Sequence, residues 1–310
     1  MKNFYYTKSQ ALNEQVAFIE ELKKSLLVKP LSPKQKTKLR WTTLVNRIHY
    51  SFLAVDRSIT TESVKKLFMI DGKTNLNELE AQVYRYKKAL DYLYQNWLVT
   101  DRLVTPKTLI ELYKIAFDGK LNVSTEALDE SLKYVQVISE HPVIQAALAQ
   151  IIFLNLAPFT KDNELFANLV FLLFLYKNGY DFRRIIFLEE YFFIDLKNYK
   201  NIIADCVKKQ NLTEWLEYVA TSLTAQLEKT IKDINMHKVE TVNVNFFELN
   251  DRQKSILTLF DHPENKISNK TVMKHFKISP VTASRDLSKL TNLGLLLTIG
   301  KGRSTYYIKV

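Results

Sequence analysis

Two stretches of the 310-residue chain concentrate side chains that could do chemistry. The first is the polar turn Thr160-Lys161-Asp162-Asn163-Glu164, set between two apolar runs. The second is Ser279-Pro280-Val281-Thr282-Ala283-Ser284-Arg285, which continues to Lys289 and is followed by Lys301 and Arg303. Bare glycine backbone lets amides close on a phosphate, but the chain has six glycines and none lies between Gly119 and Gly179. The first stretch therefore reads as a solvated turn on a core hairpin. In the second, small hydroxyl side chains and one arginine open a helix, and two further cations follow it. The five histidines, His49, His141, His237, His262 and His275, have no metal-ligand spacing. The one cysteine, Cys206, excludes internal disulfides and CxxC motifs and fits a reducing compartment.

The polar turn needs two helices to hold it. His141 and Pro142 open the first, with proline where its missing N–H costs nothing. Ile144, Ala147, Leu148, Ile151, Ile152 and Leu156 then give one broad apolar face, which Pro158 ends. From Leu165 to Tyr176 the chain is apolar nearly all round except for Asn168, as suits a helix inside a core.

This hairpin, with Ala146-Ala147-Leu148-Ala149, Phe153 and Leu156 ahead of Pro158-Phe159, resembles the Fic (Fido) family and its motif HPFx(D/E)GNGRxGR. The resemblance implies a mainly α domain and an ancestry in moving AMP from ATP onto a protein hydroxyl. Pro158, Phe159 and Asn163 match. The position of the family's general base is Ala157, which cannot accept a proton, and a positioned base is worth about 10²- to 10⁴-fold in rate. The acidic metal-holding position is Lys161, and both arginines are replaced, by Leu165 and Asn168. The two glycines are Asp162 and Glu164. Each would oppose a bound anion by about 4 kcal/mol at roughly 4 Å and an effective dielectric near 20. The expectation is a degenerate motif with no catalytic residues, no metal and no cofactor. ATP with magnesium enters only under the alternative of a protein adenylyltransferase with atypical residues. The family's inhibitory glutamate and glycine fall at Val55 and Asp56 after Ser51, so that brake is missing too, while Ile59, Thr60 and Val64 match the segment behind it. The resemblance also implies a peptide-pinning flap between Leu121 and Glu140 and a closing helix at Leu212-Thr213-Glu214-Trp215-Leu216.

Composition frames the remainder. With 46% apolar residues and few glycines and prolines, the chain should be mostly helical and form about two domains. Helical spacing marks Leu12–Leu27, a run from Thr42 to Leu67, Leu76–Leu98 and Thr105–Gly119. Lys34 to Arg40 reads as a solvated basic turn. The arginine- and aromatic-rich stretch from Arg183 to Tyr199 could stack nucleic acid, but its spacing suits a core. The divisions expected are an extension over 1–40, a Fic-like domain over 41–235, a linker over 236–245 and a small unit over 246–310. The start MKNFYYTKSQALNEQ has no apolar signal region and no run is long enough to span a bilayer, so the expectation is a cytoplasmic protein without a membrane partner.

The last unit has the order helix, helix, helix, hairpin. Asn250 or Asp251 caps the first, with Ile256, Leu257 and Leu259 inward; Ser268 caps the second; Ser279-Pro280 opens the third, which stops at Gly294. LLLTIGKGRSTYYIKV reads as two strands joined at Gly300-Lys301-Gly302. This resembles the winged helix-turn-helix superfamily. The resemblance puts Ser279, Val281, Thr282, Ser284, Arg285 and Lys289 toward the major groove, with Lys301 and Arg303 on the wing. Residues 246–310 hold eleven Lys and Arg against five Asp and Glu, a net +6 of the chain's +11. The expected function is DNA binding and transcription regulation, with double-stranded DNA and a protein partner at the helical domain, as a homodimer; the further alternative is a non-catalytic interaction scaffold.

Overall fold

The computed structural model describes residues 4–69, 76–137, 140–236, 249–260, 266–293, 295–300 and 305–309. Two helices form the centre, α7 (Pro142–Leu156) and α8 (Asn163–Lys177), packed along each other. Every residue of α8 from Leu165 to Tyr176 except Asn168 is buried, as an all-round apolar sequence requires.

Around this pair lie α1 (Gln10–Val28), α2 (Pro33–Leu53), α3 (Thr61–Met69), α4 (Glu78–Trp97), α5 (Pro106–Ala116) and α6 (Thr125–Val137). A 3-10 turn at Phe182–Arg184 leads to α9 (Glu189–Ile194), α10 (Leu196–Lys209) and α11 (Thr213–Asn235). Local chemistry starts several of these. Ser32 with Gln35 and Asn77 with Glu80 are capping boxes, each satisfying two N–H groups a helix start leaves unpaired. Two buried links then fix the layers. The Trp215 indole donates to the Ala147 carbonyl at 2.8 Å, tying α11 to α7. Arg47, fully enclosed, meets Glu189 at 3.1 Å and donates to the Tyr176 hydroxyl and the Ile186 carbonyl, tying α2 to α8 and α9.

Leu12, Ile19 and Leu26 of α1 are wholly buried, α1 packs on α11, and α2 runs unbroken past residue 40. Its apolar stripe continues as Trp41, Val45 and Ile48, which leaves no reason to stop there. The flap is absent from 125–137, which forms α6 because Leu128, Leu132 and Val135 at helical spacing enter the core. Only residues 120–122 run extended, where Asn122 N–H donates to the Pro158 carbonyl and Thr160 N–H to the Lys120 carbonyl. The aromatic stretch after Arg183 faces inward, as its spacing suggested: Phe192, Tyr199, Trp215 and Tyr218 form one ring cluster, and the Arg183 guanidinium caps the carbonyls of Leu26 and Lys29.

The C-terminal unit comprises α12 (Asp251–Thr258), α13 (Asn269–Phe276), α14 (Pro280–Asn292), β1 (Leu296–Ile299) and β2 (Tyr306–Lys309). The strands pair antiparallel from Leu296 with Lys309 to Ile299 with Tyr306. Tyr307 also bridges to Ile267. Ile256, Phe260, Val272, Ala283, Leu287, Leu290 and Leu296 make a separate small core. Leu257 and Leu259 only flank it, so the inward face of α12 is narrower than expected. Of the expected turn Gly300-Lys301-Gly302, Lys301 and Gly302 lie outside the described residues. Residues 237–248, nearly all of the expected linker, and Gly294 lie outside the described residues.

Candidate functional site

The polar turn is held from three sides. Ala157 ends α7 in the left-handed region (φ 45°), where its N–H still reaches the Phe153 carbonyl. Pro158 is buried, and the Phe159 ring stacks on Tyr113 with centroids 3.5 Å apart. Asn163 closes the turn on itself: its Oδ1 accepts from Phe159 N–H at 3.0 Å and its Nδ2 donates to the Phe159 carbonyl at 2.7 Å. Asp162 is also left-handed (φ 61°), in the manner short polar side chains tolerate. Its carboxylate is 1% exposed, 2.5 Å from Arg57 and 3.2 Å from the Gln82 amide that donates to it.

Lys161 turns outward to Asp118 at 2.5 Å. That contact raises the lysine and lowers the carboxyl from their ordinary values. The Tyr113 hydroxyl donates to the Lys161 carbonyl, and burial together with the Asp162 charge pushes it up to about 12. Gly119 is required by this packing, since a Cβ there would meet the Tyr113 oxygen at 2.1 Å. Glu164 is exposed, Leu165 is core, and Asn168 accepts from the buried Gln150 amide at 2.9 Å. Ser51 is buried, Val55 half-buried and Asp56 exposed, immediately before the arginine that clamps the turn. Neither Arg57 nor Gln82 was singled out from sequence, because they lie about a hundred residues upstream and carry no motif of their own.

On α14, Ser279 accepts from Thr282 N–H at 3.1 Å and its hydroxyl lies 2.9 Å from that of Thr282, so this pair caps the helix. Ala283, Leu287 and Leu290 are wholly buried. Asp286, 3% exposed, binds Arg252 at 2.6 Å and Gln253 at 2.8 Å, fastening α14 to α12. Val281, Ser284, Arg285 and, unnoticed in the sequence, Ser288 are exposed along one side, while Lys289 is half-buried. Lys301 and Arg303 lie outside the described residues. The exposed side opens on a cleft of about 920 Å³ whose far wall is α4, with Tyr84, Lys87, Lys88, Asp91, Tyr92 and Gln95.

Among the described residues, no group of three or more His, Cys, Asp or Glu side chains is placed to hold a metal ion. No helix among them is long and apolar enough to cross a membrane.

Residues 252–305 match the model of a DeoR-like helix-turn-helix domain. No curated protein matches the chain. In structure, the chain is similar to a Fic family protein from Desulfovibrio desulfuricans G20, at 14% identity and TM-score 0.65, over 100% of this chain and 98% of that one. It is also similar to a Fic domain containing signaling protein from Bacteroides thetaiotaomicron VPI-5482, at 17% identity and TM-score 0.58, over 72% and 98%. A third is Fic-1 (residues 134–508) from C. elegans, at 14% identity and TM-score 0.55, over 71% of each chain. The fold is thus Fic-like and helical, with a helix-turn-helix unit and a two-stranded sheet at its C-terminal end.

Proposed function

We propose that the chain is a cytoplasmic, double-stranded-DNA-binding regulator of transcription, paired as a homodimer, whose Fic-fold body carries a degenerate AMP-transfer motif and receives a protein partner. The observation that carries the reading is α14: within a segment matching a helix-turn-helix model, its apolar face is fully buried while Val281, Ser284, Arg285 and Ser288 stand exposed. A helix so anchored can present its first two turns to base edges, with Arg285 suited to bidentate contact with guanine. Two-fold pairing of such units matches paired half-sites.

The body supports the other half of the reading through its polar turn. Ala157 offers no proton acceptor, and the Asp162 carboxylate is neutralised by Arg57. Tyr113 is stacked on Phe159 and bonded to the turn backbone. A triphosphate would have to displace that ion pair, and catalysis would still lack its base.

Selection of duplexes from a random-sequence pool by the full chain tests the proposal. Enrichment of one motif, arranged as paired half-sites, is expected. Failure to enrich any sequence, together with magnesium-dependent uptake of ATP by the same protein, would transfer the function to the body.

A further inference from the structure

The cleft between α4 and α14 has the make-up of a ligand site. Its volume of about 920 Å³ lies in the range of small-molecule pockets, roughly 300–1,000 Å³. Its ionisable lining comprises Lys87, Lys88 and Arg285 against one carboxylate, Asp91, which leaves a net +2. Lys87 is only 3% exposed and is matched by Asp91 at 2.5 Å. That pairing leaves Lys88 on α4 and Arg285 on α14 as the exposed cations, one on each wall. The lining also includes Tyr84, Tyr92 and Val281, the last 61% exposed. Lys88 already sits over the Tyr84 ring, 4.8 Å from its centroid. Ser284, Ser288 and Gln95 add hydrogen-bonding groups along the rim.

The α14 wall of the cleft is formed by Val281, Ser284, Arg285 and Ser288, the same side chains offered to base edges, so a ligand held there competes with a duplex for them.

We propose that this cleft binds a small organic anion, one phosphate or carboxylate head joined to a planar body. The head lies between Lys88 and Arg285, and the body rests on Tyr84, Tyr92 and Val281. Occupancy bridges the two walls, holds the reading face of α14 against the body and so weakens duplex binding by linkage. Only that last consequence rests on the DNA-binding reading; the site itself does not.

Calorimetric titration of the full chain with phenyl phosphate, benzoate and uncharged phenol tests it. Saturable uptake of phenyl phosphate or benzoate at one per chain is expected, the tighter of the two identifying the head, with no uptake of phenol. Lys88→Ala should weaken binding at least tenfold and Lys88→Arg should restore it; Lys88 is exposed, so the variant is expected to fold. Absence of uptake of both anions, or equal affinity in Lys88→Ala, would overturn the site. A duplex affinity that falls on adding the bound anion supports the coupling, and one that does not change overturns it. Lack of duplex binding without any ligand would instead sink the DNA-binding reading and leave the calorimetric result standing.

Discussion

At the scale of single residues, the turn between α7 and α8 holds an acidic side chain where the backbone is left-handed. Asp162 occupies a left-handed position and keeps a buried charge, both costs that Arg57 and Gln82 offset. Arg57→Ala should therefore destabilise the protein by about 1–3 kcal/mol, the penalty of leaving a buried polar group under-satisfied. In an Asp162→Asn background the same change should cost far less. Denaturant midpoints of the two singles and the double would show this, and additive costs would contradict it. Ala157 has the same backbone strain without a polar compensation, so Ala157→Gly should raise stability by up to about 1 kcal/mol. A lowered midpoint would mean that the methyl group packs more usefully than its backbone suggests. The residue types of the turn were readable from the sequence. The Asp162 clamp was not, because an ion pair across about a hundred residues of chain leaves no local pattern.

At the scale of elements, two polar clusters join helices that sequence periodicity could only place singly. Between α1 and the start of α7, Glu20 accepts from Tyr180 at 2.6 Å and pairs with His141 at 3.1 Å. Burial lowers the His141 pKa below its ordinary 6.5 despite Glu20. Burial alone would raise Glu20, but hydrogen bonds from Tyr180 and His141 prevail and lower it below 4.5. Both groups bind protons more weakly folded than unfolded, so both contribute stability at neutral pH that is lost on acidification. The His141 share begins to fall below pH 6.5 and the Glu20 share below pH 4.5. The thermal midpoint should drop from pH 7 to pH 4, and Glu20→Gln should flatten the lower part of that drop. An identical pH profile in the variant would refute the assignment.

The second cluster is Asp286 with Arg252 and Gln253. Asp286→Ala would strand the Gln253 amide, 2% exposed, and loosen α14 from α12. A loss of about 1–3 kcal/mol from the C-terminal unit is expected in thermal unfolding; an unchanged transition would contradict it. The helices themselves were legible wherever an apolar stripe and a cap coincided, as in α7 and α14. The flap that the resemblance implied between Leu121 and Glu140 gives way to α6 over most of that span, where Leu128, Leu132 and Val135 at helical spacing enter the core. Lys301 and Arg303 lie outside the described residues, so the proposal of duplex binding is argued from Arg285 and its neighbours on α14.

At the scale of the whole molecule, a Fic-like helical body and a helix-turn-helix unit meet where Val281, Ser284 and Arg285 of α14 line a cleft with α4. Of the net +11, +6 lies in residues 246–310. On the proposed function, such a distribution would steer the unit toward phosphates and make binding salt-dependent. The sequence carried the two-part architecture through its apolar periods and its caps. It carried no sign of the cleft, whose lining brings together residues of α4 and α14 nearly two hundred positions apart in the chain. The central claim is that α14 reads duplex DNA. Its most direct test is the affinity of the full chain and of Arg285→Ala for a duplex enriched from a random pool, measured across a salt series. The expected result is a linear fall of log affinity with log salt in both proteins, with the variant weaker by about 5- to 150-fold, the worth of a bidentate base contact. Equal affinities at every salt concentration, or no binding even at low salt, would contradict it.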